Sequence, residues 1–366
     1  MKRNDSLKKI LYQTRPYWDR DETRPAARQA FRKALLCGTP ALGAEVYASD
    51  GEEKIVYHTC KDRVCSSCGY RATMQWQRER WAALPDVPYK GITFTMPDVL
   101  WPLFRDNRHL LKALPALAAS VLRSWVLGKH GIRVGVIVIL HTFNGKLDFN
   151  SHVHTMVTAG GLQASSTWLE SVYYDQDCLM SNWRQSVIRL LRAALQAGTL
   201  RTEMAVEAVE ELLERQENRW WSVRVQALGS KEHFLRYAGR YARRPPIAQR
   251  RITHVDERSV TFWYKDKRLR RRVEARYSLE DFIDALAQHI PERYCHGVRS
   301  FGLLAPRALS GSSTAVFTIL GQKRRPRPKP RPWAISILQD FKRGALLDGK
   351  GKRMKWVGRL PPNKSS

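Results

Sequence analysis

The chain has 366 residues, with 63 Lys+Arg against 34 Asp+Glu and a net charge of +29. Its 43% hydrophobic content excludes a disordered tail, and its length gives room for two or three domains with a sizeable core. The charge excess predicts a polyanionic partner, because neutralising phosphates releases counterions; a merely basic or ribosome-associated surface is the plainer alternative.

Residues 1–85 read as a separate N-terminal module. Met1 to Lys9 is charged throughout and lacks the apolar core of a signal peptide. No run reads as a membrane span, so the expected place is the cytoplasm, in a bacterial protein on the nucleoid. Six cysteines are too few for a disulfide scaffold in a chain of this length. Cys37, Cys60, Cys65 and Cys68 sit together in the N-terminal module, which suggests a metal in a reducing compartment. Cys178 and Cys295 read as buried small hydrophobes. A helical run ends near Trp81, and Leu84 to Pro88 marks a boundary.

The segment 86–310 alternates strands and helices. Gly91 to Met96 reads as a strand, Val99 to Leu114 and Pro115 to Lys129 as helices, and Val134 to Leu140 as a buried strand. Asn144-Gly145 signals a turn, and His152 to Thr158 returns as the second strand of a hairpin. Helices are expected over Trp168 to Ala197 and Glu203 to Gln216, then a strand over Trp220 to Gln226. Lys231 to Arg243 reads as a helix stopped by Pro245-Pro246. A hairpin follows over Arg251 to Asp256 and Val260 to Tyr264, and Ser278 N-caps a helix with Glu280 and Asp281 in its first turn. The pattern is α+β, built on a mostly antiparallel sheet flanked by helices. The segment 311–366 is a basic tail: Gly321 to Ser366 holds fourteen Lys+Arg against two Asp+Glu. Its Pro- and Arg-rich start, Gln322 to Pro332, reads as an extended linker. The tail is expected to add sequence-independent affinity for nucleic acid, unless it is only a solubilising end.

Three constellations bear on chemistry. His152 and His154 lie two apart on a strand, so both imidazoles share a face and can clasp one cation; two hydrogen-bonded sheet histidines fit the same spacing. A two-residue turn at Gly145-Lys146 would set His141 opposite Asn150 and on the same face, as a possible third ligand or as a strand-end histidine. Tyr237 and Tyr241 stand four apart, so a helix would place two phenols side by side, as nucleophiles or as packed aromatics. Arg236, Arg240, Arg243 and Arg244 surround them, to bind a strand's phosphates or to form a solvated face. Gly239 between the phenols allows close backbone approach.

The string His141 to Gly161, HTFNGKLDFNSHVHTMVTAGG, resembles the metal-binding hairpin of the IS91 family of insertion-sequence transposases. YAGRYARRPPI (Tyr237 to Ile247) resembles that family's two-tyrosine helix, and FWYKD (Phe262 to Asp266) and HGVRSFGLLAP (His296 to Pro306) match further along. VYHTCKDRVCSSC (Val56 to Cys68) resembles its zinc-binding segment. The matches run in family order over residues 30–310.

The resemblance implies an HUH endonuclease fold in which His152 and His154 hold Mg²⁺ or Mn²⁺. It implies that Tyr237 and Tyr241 attack single-stranded DNA at the ends of the element, forming a 5′-phosphotyrosine and driving rolling-circle transposition. The N-terminal segment departs from the family pattern. Ala44-Glu45 and Ser49-Asp50-Gly51-Glu52 stand where a further cysteine pair and a histidine are expected. One structural Zn²⁺ on Cys37, Cys60, Cys65 and Cys68 is the expectation, with His58 in place of Cys37, or metal loss, as alternatives. Two other functions fit parts of the pattern: a plasmid- or phage-type replication initiator, and a non-catalytic zinc-containing DNA-binding derivative.

Overall fold

The computed structural model describes residues 6–266, 269–306, 312–341 and 346–363. Its centre is a five-stranded antiparallel sheet. In spatial order the strands are Val298–Gly302, Gly135–Phe143, Phe149–Thr158, Tyr89–Phe94 and Val223–Gly229. The two central strands are buried on both sides along most of their length, which explains their near-continuous apolar run.

Alternation along the strands divides the sheet into two faces. Val136, Val138, Leu140, Val153, Val157, Ile92 and Phe94 belong to the large core, with Trp183, Val187 and Leu191 of the helix Gln176–Gln196. The helix Leu114–His130 closes the same face through Ala118, Leu122 and Val126. The stretch Arg108–His130 is long and apolar enough to cross a membrane, contrary to the sequence reading, but half of its apolar window is buried within the protein. The opposite face carries Ile137, Ile139 and Met156, packed under Phe234, Leu235 and Ala238 and under Trp76 of the helix Ser66–Ala83. The N-terminal module therefore lies over the same face as the tyrosine segment.

A three-stranded sheet, Ile252–Val255, Ser259–Lys265 and Arg272–Ser278, packs with the helix Leu279–Ala287 against the N-terminal helices Ser6–Gln13 and Pro25–Leu36. The sequence reading gave only its first two strands. Ser278 caps its helix as expected: its Oγ accepts the Asp281 N–H. The strand Lys355–Leu360 pairs with Ala44–Ser49, next to Glu52–Tyr57, so the basic C-terminal segment returns to the N-terminal module. Residues 322–332 between them form no regular element.

Two expected helices are shorter than the pattern suggested. Trp168–Leu169 is a short strand beside Gly161–Gln163; the helix begins at Gln176, where the Asp175 carboxylate accepts the Asp177 and Cys178 N–H groups. The helix Lys231–Ala238 ends at Gly239, and Tyr241 lies one turn beyond it. Gln77 of the N-terminal module packs against this end of the helix. Its Nε2 donates to the Leu235 carbonyl at 2.8 Å and occupies the space over Gly239, where a Cβ would stand 2.2 Å away.

Candidate active site and metal centres

The hairpin register differs from the sequence expectation. His141 stands opposite His152, not Asn150. The connection is a five-residue loop, 144–148, rather than a two-residue turn. Asn144 Oδ1 accepts the Lys146 and Asp148 N–H groups, and Leu147, at φ +73°, is fully buried in the second core. The register moves by an even number of residues, so His141 stays on the predicted face; an odd shift would have removed it.

His141, His152 and His154 bring one nitrogen each within 4.8 Å of one another. Their outer nitrogens are held in the manner of metal-ligating histidines. His152 Nδ1 lies 2.8 Å from the Asn150 carbonyl, so it donates there and Nε2 carries the ring's lone pair. His141 Nε2 donates to the Tyr241 carbonyl at 2.9 Å, which leaves Nδ1 as its lone-pair nitrogen. His154 Nδ1 sits 3.1 Å from the Tyr237 hydroxyl and 3.2 Å from Thr93 Oγ1. Burial holds the pKa of His141 well below the ordinary range, reinforced by His154, His152 and Arg63, so it is neutral, as a ligand must be. The donor set fits one divalent cation.

Both tyrosines meet this triad. Tyr237 is buried, and burial raises its pKa, while a hydrogen bond from Thr93 lowers it. The Tyr241 ring stacks on His154 at 3.9 Å, and the two phenol rings are 5.0 Å apart. Thr93, directly opposite His154 in the sheet, is the site residue that sequence reasoning missed; the strand pairing alone reveals it.

The four arginines separate. Arg240 lies 5.0 Å from the Tyr237 ring centre and 5.8 Å from that of Tyr241. With Arg236, His233, Gln226 and Tyr237 it lines an open groove of about 710 Å³. Arg243 lines a different cleft, beside Lys61 and Arg63. Arg244 donates to the Gly239 carbonyl and covers the Tyr70 ring at 5.0 Å, so it braces the turn rather than the groove.

In the N-terminal module the sulfurs of Cys37 and Cys68 are 3.7 Å apart, Cys60 and Cys68 3.6 Å, and Cys65 and Cys37 3.7 Å. A tetrahedron with Zn–S bonds of about 2.3 Å has edges of about 3.8 Å, so the four thiols fit one zinc. Backbone N–H groups of Cys60 and Asp62 approach the sulfurs of Cys37 and Cys60, as expected around thiolates. His58 is not a substitute ligand: its ring bonds to Glu45 and the Leu42 carbonyl. Cys178 is exposed and Cys295 half-buried, because the first opens a helix at the surface and the second lines a cleft; neither is the buried residue expected.

Residues 10–96 match a family model described as "Transposase zinc-binding domain", and residues 135–312 match one described as "Putative transposase". The chain belongs to the IS91 family of transposases. It is 33% identical over 320 residues to the "Transposase for insertion sequence element IS801" of Pseudomonas savastanoi pv. phaseolicola, covering 84% of this chain and 77% of that one. It is 28% identical over 299 residues to "Putative transposase y4qJ" of Sinorhizobium fredii, covering 77% of this chain and 75% of the other. No solved structure matches this chain. The four-cysteine cluster of this transposase falls inside its zinc-binding domain, and the histidines and tyrosines fall inside the second match.

Proposed function

We propose that this transposase cuts and rejoins single-stranded DNA at the ends of an insertion sequence through a covalent 5′-phosphotyrosine, and so drives rolling-circle transposition. The observation that carries the reading is the contact between the phenols and the histidine triad. Tyr237 hydrogen-bonds His154, and Tyr241 stacks on the same ring.

His141, His152 and His154 would hold Mg²⁺ or Mn²⁺, which would polarise the scissile phosphate as a Lewis acid. A His154 protonated at Nδ1 donates to the Tyr237 oxygen and, with Thr93 and the nearby Arg240 guanidinium, favours the phenolate. The phenolate oxygen attacks phosphorus, the bond from phosphorus to the 3′ oxygen breaks, and that oxygen leaves and takes up a proton. The new P–O bond retains the energy of the phosphodiester for rejoining. A second phenol lets a second strand be cut while the first remains linked. Arg236 and Arg240 bind the strand along the groove. The Zn²⁺ on Cys37, Cys60, Cys65 and Cys68 is structural, and the protein works in the bacterial cytoplasm on nucleoid DNA. The domains are a zinc-binding module over 1–85, a nuclease over 86–310 and a basic segment over 311–366.

The test is a denaturing gel of the purified protein with labelled single-stranded DNA from the element's ends. A covalent adduct should form with Mg²⁺ or Mn²⁺, disappear with chelator, and be missing from the Tyr237→Phe/Tyr241→Phe variant. Equal cutting by that variant would overturn the reading. Tight binding without adduct by the wild type would favour the non-catalytic derivative instead.

A further inference from the structure

We infer that the cleft between the zinc-binding domain and the tyrosine segment is a second phosphate site for the bound DNA strand, with Arg63 as its principal ligand. The inference rests on the single-strand nuclease reading above only for the identity of the polyanion.

Arg63 lies in the short loop between Cys60 and Cys65, so two of the four clustered cysteines fix its backbone. Its Nε donates to the Arg244 carbonyl at 2.9 Å, which ties the guanidinium to the segment just after the tyrosines. Its Nη1 lies against Gly297, where a Cβ would stand 3.3 Å away. The side chain is thus held on two sides, half-buried at the domain boundary.

Among the described residues, no carboxylate lies within 4.0 Å of this guanidinium. Asp62, on the same cleft, accepts the Val64 N–H, and nearby Glu292 is paired with Arg24. A partly buried guanidinium with no carboxylate partner can take an anion entering the cleft as its partner.

The cleft has a volume of about 210 Å³. That is roughly seven times a water's share of liquid volume, enough for a phosphodiester group. Lys61 and Arg63 line it from the zinc-binding domain, and Arg243, His296 and Gly297 from the other side. Arg243 is two residues beyond Tyr241, so one wall of the cleft continues directly from the tyrosine segment. Arg63 is therefore a strand-binding residue. Through it, the zinc-binding domain completes the strand-binding surface rather than merely covering it.

The test uses the full chain carrying Tyr237→Phe and Tyr241→Phe, so that binding is measured without cleavage. Arg63→Gln and Arg63→Lys are added, and the Kd for a labelled single strand is followed across a range of NaCl, with zinc content and Tm recorded. Arg63→Gln should weaken binding about 10- to 100-fold, as expected for one charge-assisted contact, and lower the salt slope by about 0.7. Arg63→Lys should keep the slope and recover part of the affinity. In a strand with single neutral methylphosphonate linkages, one position should weaken the parent and leave Arg63→Gln unaffected. If Arg63→Gln loses zinc, Arg243→Gln, on the opposite wall, must show the same fall in slope. Unchanged Kd and slope, a fall in affinity without a change of slope, or a parent that binds no single strand would each overturn the inference. Failure of the adduct assay alone would sink the nuclease reading and leave the cleft standing.

Discussion

The buried imidazole of His289 should contribute to the acid sensitivity of the transposase. It lies under the hairpin loop: its Nε2 donates to the Leu147 carbonyl at 2.8 Å, and its Nδ1 lies 3.3 Å from Thr142 Oγ1. Phe143 and Phe149 pack on its ring. Burial lowers its pKa to about 4, and Arg108, Arg63 and Arg24 add to the effect against the opposing Leu147 hydrogen bond. Glu292 and Cys295 line the same small cavity. In the unfolded chain the group titrates near 6.5. Between these values the unfolded state binds more protons, so stability is complete above about pH 6.5 and is lost as pH falls toward 4. The full difference of 2.5 units corresponds to about 3.4 kcal/mol, of which about 2 kcal/mol is lost between pH 7.5 and pH 5. His289→Gln keeps a donor for the Leu147 carbonyl and removes the titration. Urea unfolding of both proteins across this range is the assay. Acid loss of zinc affects both alike and cancels in the difference. The stability gap between wild type and variant should narrow as pH falls. Parallel curves would refute the reasoning.

Metal analysis should give one zinc per chain, and the Co²⁺-substituted protein should show thiolate charge-transfer absorption. Cys65→Ser should lose both, while His58→Ala retains them, since His58 is bonded to Glu45. Truncation after residue 341 removes the strand on Ala44–Ser49 and the Trp356 and Arg359 contacts to Glu45. It should lower Tm and flatten the salt dependence of DNA binding; an unchanged slope would contradict a role for the basic segment. Tyr241→Phe should leave Mn²⁺ affinity, measured by electron paramagnetic resonance, unchanged. Tyr241→Ala should weaken it up to about tenfold, because the ring stacked on His154 is worth about 0.5–1.5 kcal/mol.

Much of the site was legible because it depends on short-range geometry. Two histidines two apart on a strand share a face whatever the rest of the chain does. Tyrosines four apart meet even though the helix ends between them. What escaped depends on distant segments. Nothing near Gly239 indicates that Gln77 will occupy the space above it. Thr93 enters only through pairing with a strand sixty residues away. The five-residue hairpin loop exists because Leu147 has a second core to enter, which a count of turn residues cannot reveal. The pairing of the last strand with the first joins segments that look unrelated, one basic and one whose only charge is Glu45.

The two phenols are alike in spacing but not in surroundings. Tyr237 is buried, with its hydroxyl on His154 and Thr93. Tyr241 is half-buried, and its main-chain carbonyl, not its hydroxyl, accepts the His141 N–H. A movement of Tyr241 that shifted its backbone would therefore release the outer nitrogen of His141, whereas rotation of the Tyr237 side chain would disturb only the hydrogen bond to His154. Gln77 stands against this movement, filling the space over Gly239 and bonding the Leu235 carbonyl. Because Gln77 belongs to the helix that starts at the cysteine cluster, the zinc-binding domain packs directly over the turn between the phenols.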